Sequence, residues 1–279
     1  MKKTIIPLFL LVMLFTAFTT ERPLKIFMIG DSTMANKDTT GGKQERGWGM
    51  VLNEFFNDDV IIDNHAVNGR STKSFLDEGR WQKVLDQIQP GDYVIIQFGH
   101  NDEKKNDAKR YTVAGGSFDD NLRRYVNETR SKGGLPILLN CVARRNFNAP
   151  KTGVIDDEGL RDKTYVNPDK TSEGGEDLKG DGDILIDTHG EYREVPARIA
   201  QELNVPFIDA NKITSDLEQN LGVEGSKKLH MIYLPGECPA YPKGRQDNTH
   251  YNQIGARIVA GLLAIEIGKQ VPEIKRHLK

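Results

Sequence analysis

Four short stretches of this chain carry residue types that together could perform acyl transfer. Gly30-Asp31-Ser32 ends one hydrophobic run, and Asn68-Gly69-Arg70-Ser71 follows a second. Gly99-His100-Asn101-Asp102 follows a third directly, and Asp247-Asn248-Thr249-His250 stands just before a striped C-terminal segment. A serine hydroxyl is a weak nucleophile until a neighbouring base takes its proton. His250 is the candidate base. Asp247, three residues away in a turn, is the candidate carboxylate that fixes the tautomer of His250 and stabilises its imidazolium. A tetrahedral oxyanion needs donors aimed at it. The backbone N–H of Ser32, the backbone N–H of Gly69 and the side-chain amide of Asn101 suit that role, and Gly69 allows close approach because it has no side chain.

Taken singly, each stretch has a plainer explanation. A lone serine after a strand is usually a turn residue, His100 and His250 could be satisfied core or cap histidines, and Asp102 reads best as a helix cap. What separates the two readings is whether all four stretches meet, which depends on the elements that carry them.

Leu24 to Ile29 reads as a buried strand, so Ser32 lies just past its carboxyl end. Further strands are expected at 60–62, 93–98, 136–141 and 205–208. Helices are expected at 48–56, around Trp81 to Ile88, around Phe118 to Val126, at Val195 to Leu203, and along Ile254, Ile258, Leu262 and Ile265. Strands alternating with helices imply right-handed crossovers and a parallel sheet covered on both faces. The expected fold is therefore a three-layer α/β/α domain with a five-stranded parallel sheet in flavodoxin-like order 2-1-3-4-5. In such folds the carboxyl ends of the strands converge on one rim, where ligands bind. All four stretches fall at that rim.

The chain has 279 residues and a formal charge of −2 without a block of like charges, which gives no basis for a nucleic-acid groove or a polybasic membrane anchor. Lys2 and Lys3 precede an apolar run from Ile5 to Phe18. At about fourteen residues that run fits a secretory signal better than a membrane span. Residues 1–20 are expected as a signal peptide and 21–279 as one domain. The product would be secreted or periplasmic, with no membrane attachment after signal removal. Cys141 and Cys238 are the only cysteines and could pair or stay buried as thiols; no spacing suits zinc. The 148–187 segment, rich in Asp, Gly, Lys and Thr, interrupts the rhythm and overhangs the presumed site. Loops of that length are usually lids or mobile. Its Asp181, Asp183 and Asp187 lack the pattern of a calcium loop, and a solvated loop is the simpler reading.

The four blocks, in this order, resemble those of the SGNH (GDSL-like) hydrolase superfamily, from about Lys25 to the C-terminus. No Gly-x-Ser-x-Gly elbow of ordinary α/β-hydrolases is present. A further set of stretches is similar to the rhamnogalacturonan acetylesterases of carbohydrate esterase family 12. It comprises Gly69 to Phe75 with Glu78-Gly79, Phe98 to Asp102, Arg144-Arg145-Asn146-Phe147, Thr188 to Tyr192, and Tyr241-Pro242. The 148–187 segment looks longer than that family usually carries. The resemblance implies removal of acetyl groups from galacturonate residues of pectic rhamnogalacturonan without a metal or cofactor. Ser32, Asp247 and His250 would form the catalytic triad, and Ser32, Gly69 and Asn101 the oxyanion hole. A polyanionic substrate would need cations, for which Arg70, Arg144 and Arg145 are candidates; the competing reading pairs them with the protein's own acids. The partner expected is an acetylated pectic polysaccharide or oligosaccharide, and the protein is expected to be a monomer. Acetylated xylan, a lipid ester or a thioester would keep the mechanism. A flavin-binding protein, with Ser32-Thr33 and Thr39-Thr40-Gly41-Gly42 cradling a phosphate, and a non-catalytic carbohydrate-binding module are the remote alternatives.

Overall fold

The computed structural model describes residues 22–147 and 184–279. The expected signal segment and most of the 148–187 segment, including Asp181 and Asp183, lie outside the described residues. Among the described residues no helix is long and apolar enough to cross a membrane.

Side chains of the hydrophobic runs alternate across the sheet they form, with period 2. The strands are β1 (Leu24–Gly30), β3 (Val60–Asn64), β4 (Tyr93–Gln97), β5 (Leu135–Leu139) and β6 (Phe207–Ile208), all parallel, in the order β3-β1-β4-β5-β6. Counted within this sheet alone, that is the expected 2-1-3-4-5. Ile26, Met28, Ile95, Ile137 and Leu139 face one layer, and Phe27, Ile29, Val94, Ile96 and Leu138 face the other. The first layer holds α6 (Gln253–Gln270), α5 (Ala210–Ser226) and the 48–55 region. The second holds α1 (Thr72–Asp77), α2 (Arg80–Leu85), α3 (Ser117–Ser131) and α4 (Glu191–Leu203). A short α7 (Pro272–Lys275) follows α6.

Two expectations are corrected. The 48–56 stretch is two tight 3-10 turns, Trp48–Met50 and Leu52–Phe55, rather than a helix. Its entry is pressed against the turn after β1: Trp48 N donates to Thr33 O at 2.9 Å, and a Cβ on Gly47 would lie 2.3 Å from Ala35 O. That contact leaves no room for a regular helical start. On α6, the residues that flagged the helix lie on its outer side: Ile254 is 61% exposed and Ile258 40%. The buried face is instead Ala256, Val259, Ala260, Leu263, Ala264 and Ile267, whose small members let the helix approach the sheet closely.

One element has no counterpart in the hydrophobic pattern. A two-stranded antiparallel sheet joins β2 (Glu45–Arg46) to β7 (Tyr251–Asn252), with Glu45 opposite Asn252 and Arg46 opposite Tyr251. It brings the segment after β1 against the loop that carries His250. Cys141 and Cys238 are both buried free thiols.

Candidate active site

β1 ends at Gly30, and the next residues close a tight turn in which Ala35 N donates to Asp31 O at 3.1 Å. Ser32 stands in that turn at the carboxyl end of the sheet. Asp31 points away from it. The Asp31 carboxylate accepts the backbone N–H of Thr33 at 2.9 Å and its hydroxyl at 2.8 Å, and faces His100 Nδ1 at 3.5 Å. Burial pushes the Asp31 carboxyl up, but His100 and the two Thr33 donors outweigh it and leave it below the usual range. Burial holds His100 down to about 4 against the attraction of Asp31, so at neutral pH the ring is uncharged. The Thr33 donors that a phosphate cradle would need are therefore taken by a buried carboxylate, which removes the flavin reading.

Asn248 and Thr249 form the turn that sets Asp247 beneath His250. Asp247 Oδ1 accepts the backbone N–H of Thr249 at 3.0 Å and of His250 at 2.9 Å. The ring Nδ1 of His250 lies 3.0 Å from each carboxylate oxygen. Nδ1 carries the proton in that arrangement, which leaves Nε2 as the acceptor. Nε2 lies 2.7 Å from Ser32 Oγ, across 218 positions of sequence.

The two turns expected to donate to an oxyanion are tied to the end of β1 and to each other. Val67 N donates to Gly30 O at 3.0 Å, and Gly69 then adopts a φ of +73°, a conformation that favours glycine. Asn101 Nδ2 donates to Arg70 O at 3.1 Å, and its Oδ1 accepts from Arg110. Asp102 acts as a cap, but for α1 rather than for a helix of its own segment. Its Oδ1 accepts Thr72 N at 3.0 Å and the Thr72 hydroxyl at 2.5 Å, while Ser71 and Ser74 form a capping box at the same helix end. Burial raises the Asp102 carboxyl to about 7, against the Thr72 and Thr112 donors.

A family model described as GDSL-like Lipase/Acylhydrolase matches residues 28–258. The chain belongs to the GDSL-like lipase/acylhydrolase family. Rhamnogalacturonan acetylesterase RhgT of Bacillus subtilis is 34% identical over 258 residues, 92% of this chain and 95% of that protein. A 77-residue stretch is 44% identical to the rhamnogalacturonan acetylesterase of Emericella nidulans, 28% of each chain. Among solved structures, the YxiM protein of Bacillus subtilis superposes with a TM-score of 0.61 at 24% identity, over 88% of this chain and 56% of that one. Axe2, an acetylxylan esterase from Geobacillus stearothermophilus, superposes with a TM-score of 0.52 at 17% identity, over 88% and 94%. These two likenesses speak to the fold. The chain is thus a carboxylic ester hydrolase of the GDSL-like type.

Two of the three arginines expected at the substrate of this GDSL-like hydrolase are turned inward. Arg144, only 5% exposed, pairs with Glu103 at 2.5 Å and also meets Thr188, His189 Nδ1 and His100 O. Arg145 donates to Ser226 Oγ, Val223 O and Asn248 Oδ1, and so braces the turn between Asp247 and His250 against α5. Both guanidiniums are buried against the protein's own acceptors, unlike the expectation that they hold substrate carboxylates. Arg70 differs. It pairs with Glu78 at 3.0 Å, but its side chain is 31% exposed and adjoins Gly69.

His100, Cys141 and His189 offer three buried ligand atoms within 4.8 Å of one another. His189 nevertheless has Nδ1 on Glu103 at 3.0 Å and Nε2 on Val142 O at 3.1 Å, with the Arg144 cation alongside. That donor set fits a buried ion-pair network rather than a metal centre.

Sequence reasoning missed Arg245, which pairs with Asp247, and behind it Glu45 and Lys37, which pair in turn with Arg245 and with each other. Glu45 and Arg245 stand 200 positions apart, so no local pattern could have joined them.

Proposed function

We propose that this chain is an exported serine esterase that removes O-acetyl groups from pectic rhamnogalacturonan through an acetyl-enzyme intermediate. The observation that carries the reading is the 2.7 Å contact between His250 Nε2 and Ser32 Oγ, with Asp247 on the other ring nitrogen. A hydroxyl, a base and an orienting carboxylate in this geometry are what acyl transfer requires.

Ser32 Oγ attacks the acetyl carbonyl while its proton passes to His250 Nε2, and the carbonyl electron pair moves onto oxygen. The backbone N–H groups of Ser32 and Gly69 and the Asn101 amide stabilise that oxyanion. Collapse expels the sugar hydroxylate, which takes the proton back from His250 and leaves Ser32 acetylated. Water then gives its proton to His250 as it attacks the acetyl group, and the second collapse releases acetate and restores Ser32.

Substrate and compartment rest on other grounds. Similarity to RhgT over nearly its whole length favours acetylated rhamnogalacturonan, and Arg70 offers a partly exposed cation beside Gly69 for a galacturonate carboxylate. Lys2, Lys3 and the apolar run to Phe18 favour export. The test is acetate release from acetylated rhamnogalacturonan and from acetylxylan, with Ser32→Ala as control. Release from the pectic polymer that Ser32→Ala abolishes supports the proposal. Faster release from acetylxylan would move the substrate, and undiminished turnover by Ser32→Ala would overturn the mechanism.

A further inference from the structure

The triad acid is not isolated. Asp247 Oδ2 accepts from Arg245 NH2 at 3.0 Å, and the same nitrogen lies 2.7 Å from Glu45 Oε2. The other Glu45 oxygen meets Lys37 Nζ at 2.8 Å, and that ammonium also donates to Asn68 Oδ1 at 2.6 Å. A continuous chain of charge therefore runs from Asn68, beside the oxyanion glycine, through Lys37, Glu45 and Arg245 to Asp247. Asn68 is exposed, but the charged members are nearly dry: the side chain of Lys37 is 4% exposed, that of Glu45 13% and that of Arg245 8%.

The charges in this chain alternate, and their order matters. Arg245 alone against Asp247 would draw on the negative charge that Asp247 offers to His250. Glu45 balances Arg245 and Lys37, and β2 pairing with β7 sets it opposite Asn252, two residues from His250. We propose that Glu45 is a positioning residue of the ester-hydrolysis site, whose carboxylate neutralises Lys37 and Arg245 and stabilises the imidazolium that His250 becomes. The inference rests on the serine-esterase reading above.

His250 is faced by Asp247 and Arg245 from its own loop, by Ser32 from the end of β1 and by Glu45 from β2. His230, bridged to Tyr251, is closed on Glu218 at 2.8 Å within a buried pair of its own. Burial pushes the Glu45 carboxyl up, but the charges of His250, Lys37 and Arg245 bring it down to about 2. Glu45 is thus ionised wherever the enzyme would work, and its effect on His250 is that of a fixed negative charge.

The test measures kcat and KM for 4-nitrophenyl acetate between pH 4.5 and 9, because this small ester makes no polysaccharide contacts. In Glu45→Gln one positive charge is left in excess among Lys37, Arg245 and Asp247 beside His250, so the acid limb of kcat/KM moves to lower pH by about half a unit. Plateau kcat falls about tenfold with KM unchanged, the split expected when only transition-state stabilisation is lost. Lys37→Met removes a cation and moves the limb the opposite way, to higher pH. This second variant decides the matter by itself if Glu45→Gln does not fold. Opposite shifts establish an electrostatic role that a merely structural brace would not produce. Unmoved limbs, or shifts of the same sign, overturn it. Ser32→Ala separates the two proposals: if it is inert while the limbs stay fixed, only the role of Glu45 fails, whereas full activity in Ser32→Ala removes the esterase mechanism itself.

Discussion

The Asp247 carboxylate holds His250 twice, accepting its backbone N–H at 2.9 Å and its ring Nδ1 at 3.0 Å. One acid therefore fixes both the turn that carries the base and the tautomer the base adopts. Asp247→Asn keeps the size of the side chain but offers an N–H where the ring needs an acceptor. We expect kcat to fall by on the order of 10⁴, with the variant still folded by circular dichroism. A loss below tenfold would mean that Asp247 serves the turn and not the chemistry.

Ser32 should be the residue that becomes acylated. An organophosphonate is expected to add one covalent equivalent to the wild-type chain, read by mass spectrometry, and none to Ser32→Ala. The same adduct on another residue would place the nucleophile elsewhere.

Asn101 ties its turn to Arg70 O through the side-chain nitrogen that is proposed to face the oxyanion. Asn101→Ala is expected to lower kcat by about 10²–10³, with KM for a small ester near the wild-type value. A rise in KM with kcat unchanged would assign it to ground-state binding.

Arg144 and Arg70 should behave in opposite ways. Arg144→Ala leaves the mostly buried Glu103 carboxylate with His189 in place of a fixed cation, and breaking a buried pair costs about 3–5 kcal/mol of stability. Denaturant titration reads that loss, and KM for the polysaccharide should stay unchanged in the folded fraction. Arg70→Ala should leave stability within about 0.5 kcal/mol, since its partner Glu78 is exposed. It should raise KM for the acidic polymer about tenfold and leave KM for 4-nitrophenyl acetate alone.

Stability should depend on pH through His100. Burial lowers His100 to about 4, below the ordinary value of about 6.5 that the unfolded chain retains. Through His100 the folded state binds fewer protons between those values, so the contribution of this group is full above about pH 6.5 and falls as pH drops towards 4, while Asp102, raised to about 7, works in the opposite sense over the same range. Thermal melts across that range check this, and His100→Gln should lose less stability than the wild type as pH falls from 6.5 to 4. An unchanged slope would place the acid sensitivity elsewhere.

The sheet was legible because each strand is a short apolar run whose alternate residues face opposite layers, and five such strands alternating with helices suggested the flavodoxin-like order. The 48–56 region was misread because its helical spacing is overruled by the close approach of Gly47 to the turn after β1. The stripe of isoleucines on α6 marked a helix correctly but on the outer side, since close packing on the sheet selects alanine over larger residues. Inward pairing of Arg144 and Arg145 was one of two open readings, and the choice was not legible because Glu103 and Asn248 become their partners only after folding.

By itself, the sequence determined the parallel α/β/α fold and singled out the residues proposed as nucleophile, base and acid. Both are carried by local patterns: strand runs ending in reactive residues, and an Asp and a His held in one turn. Only the tertiary structure decided which charges surround them. Glu45 reaches Arg245, Lys37 reaches Asn68 and Glu103 holds Arg144 through contacts between distant segments. An ion pair buried in this way depends on distance and desolvation in three dimensions, and neither quantity is written in residue order.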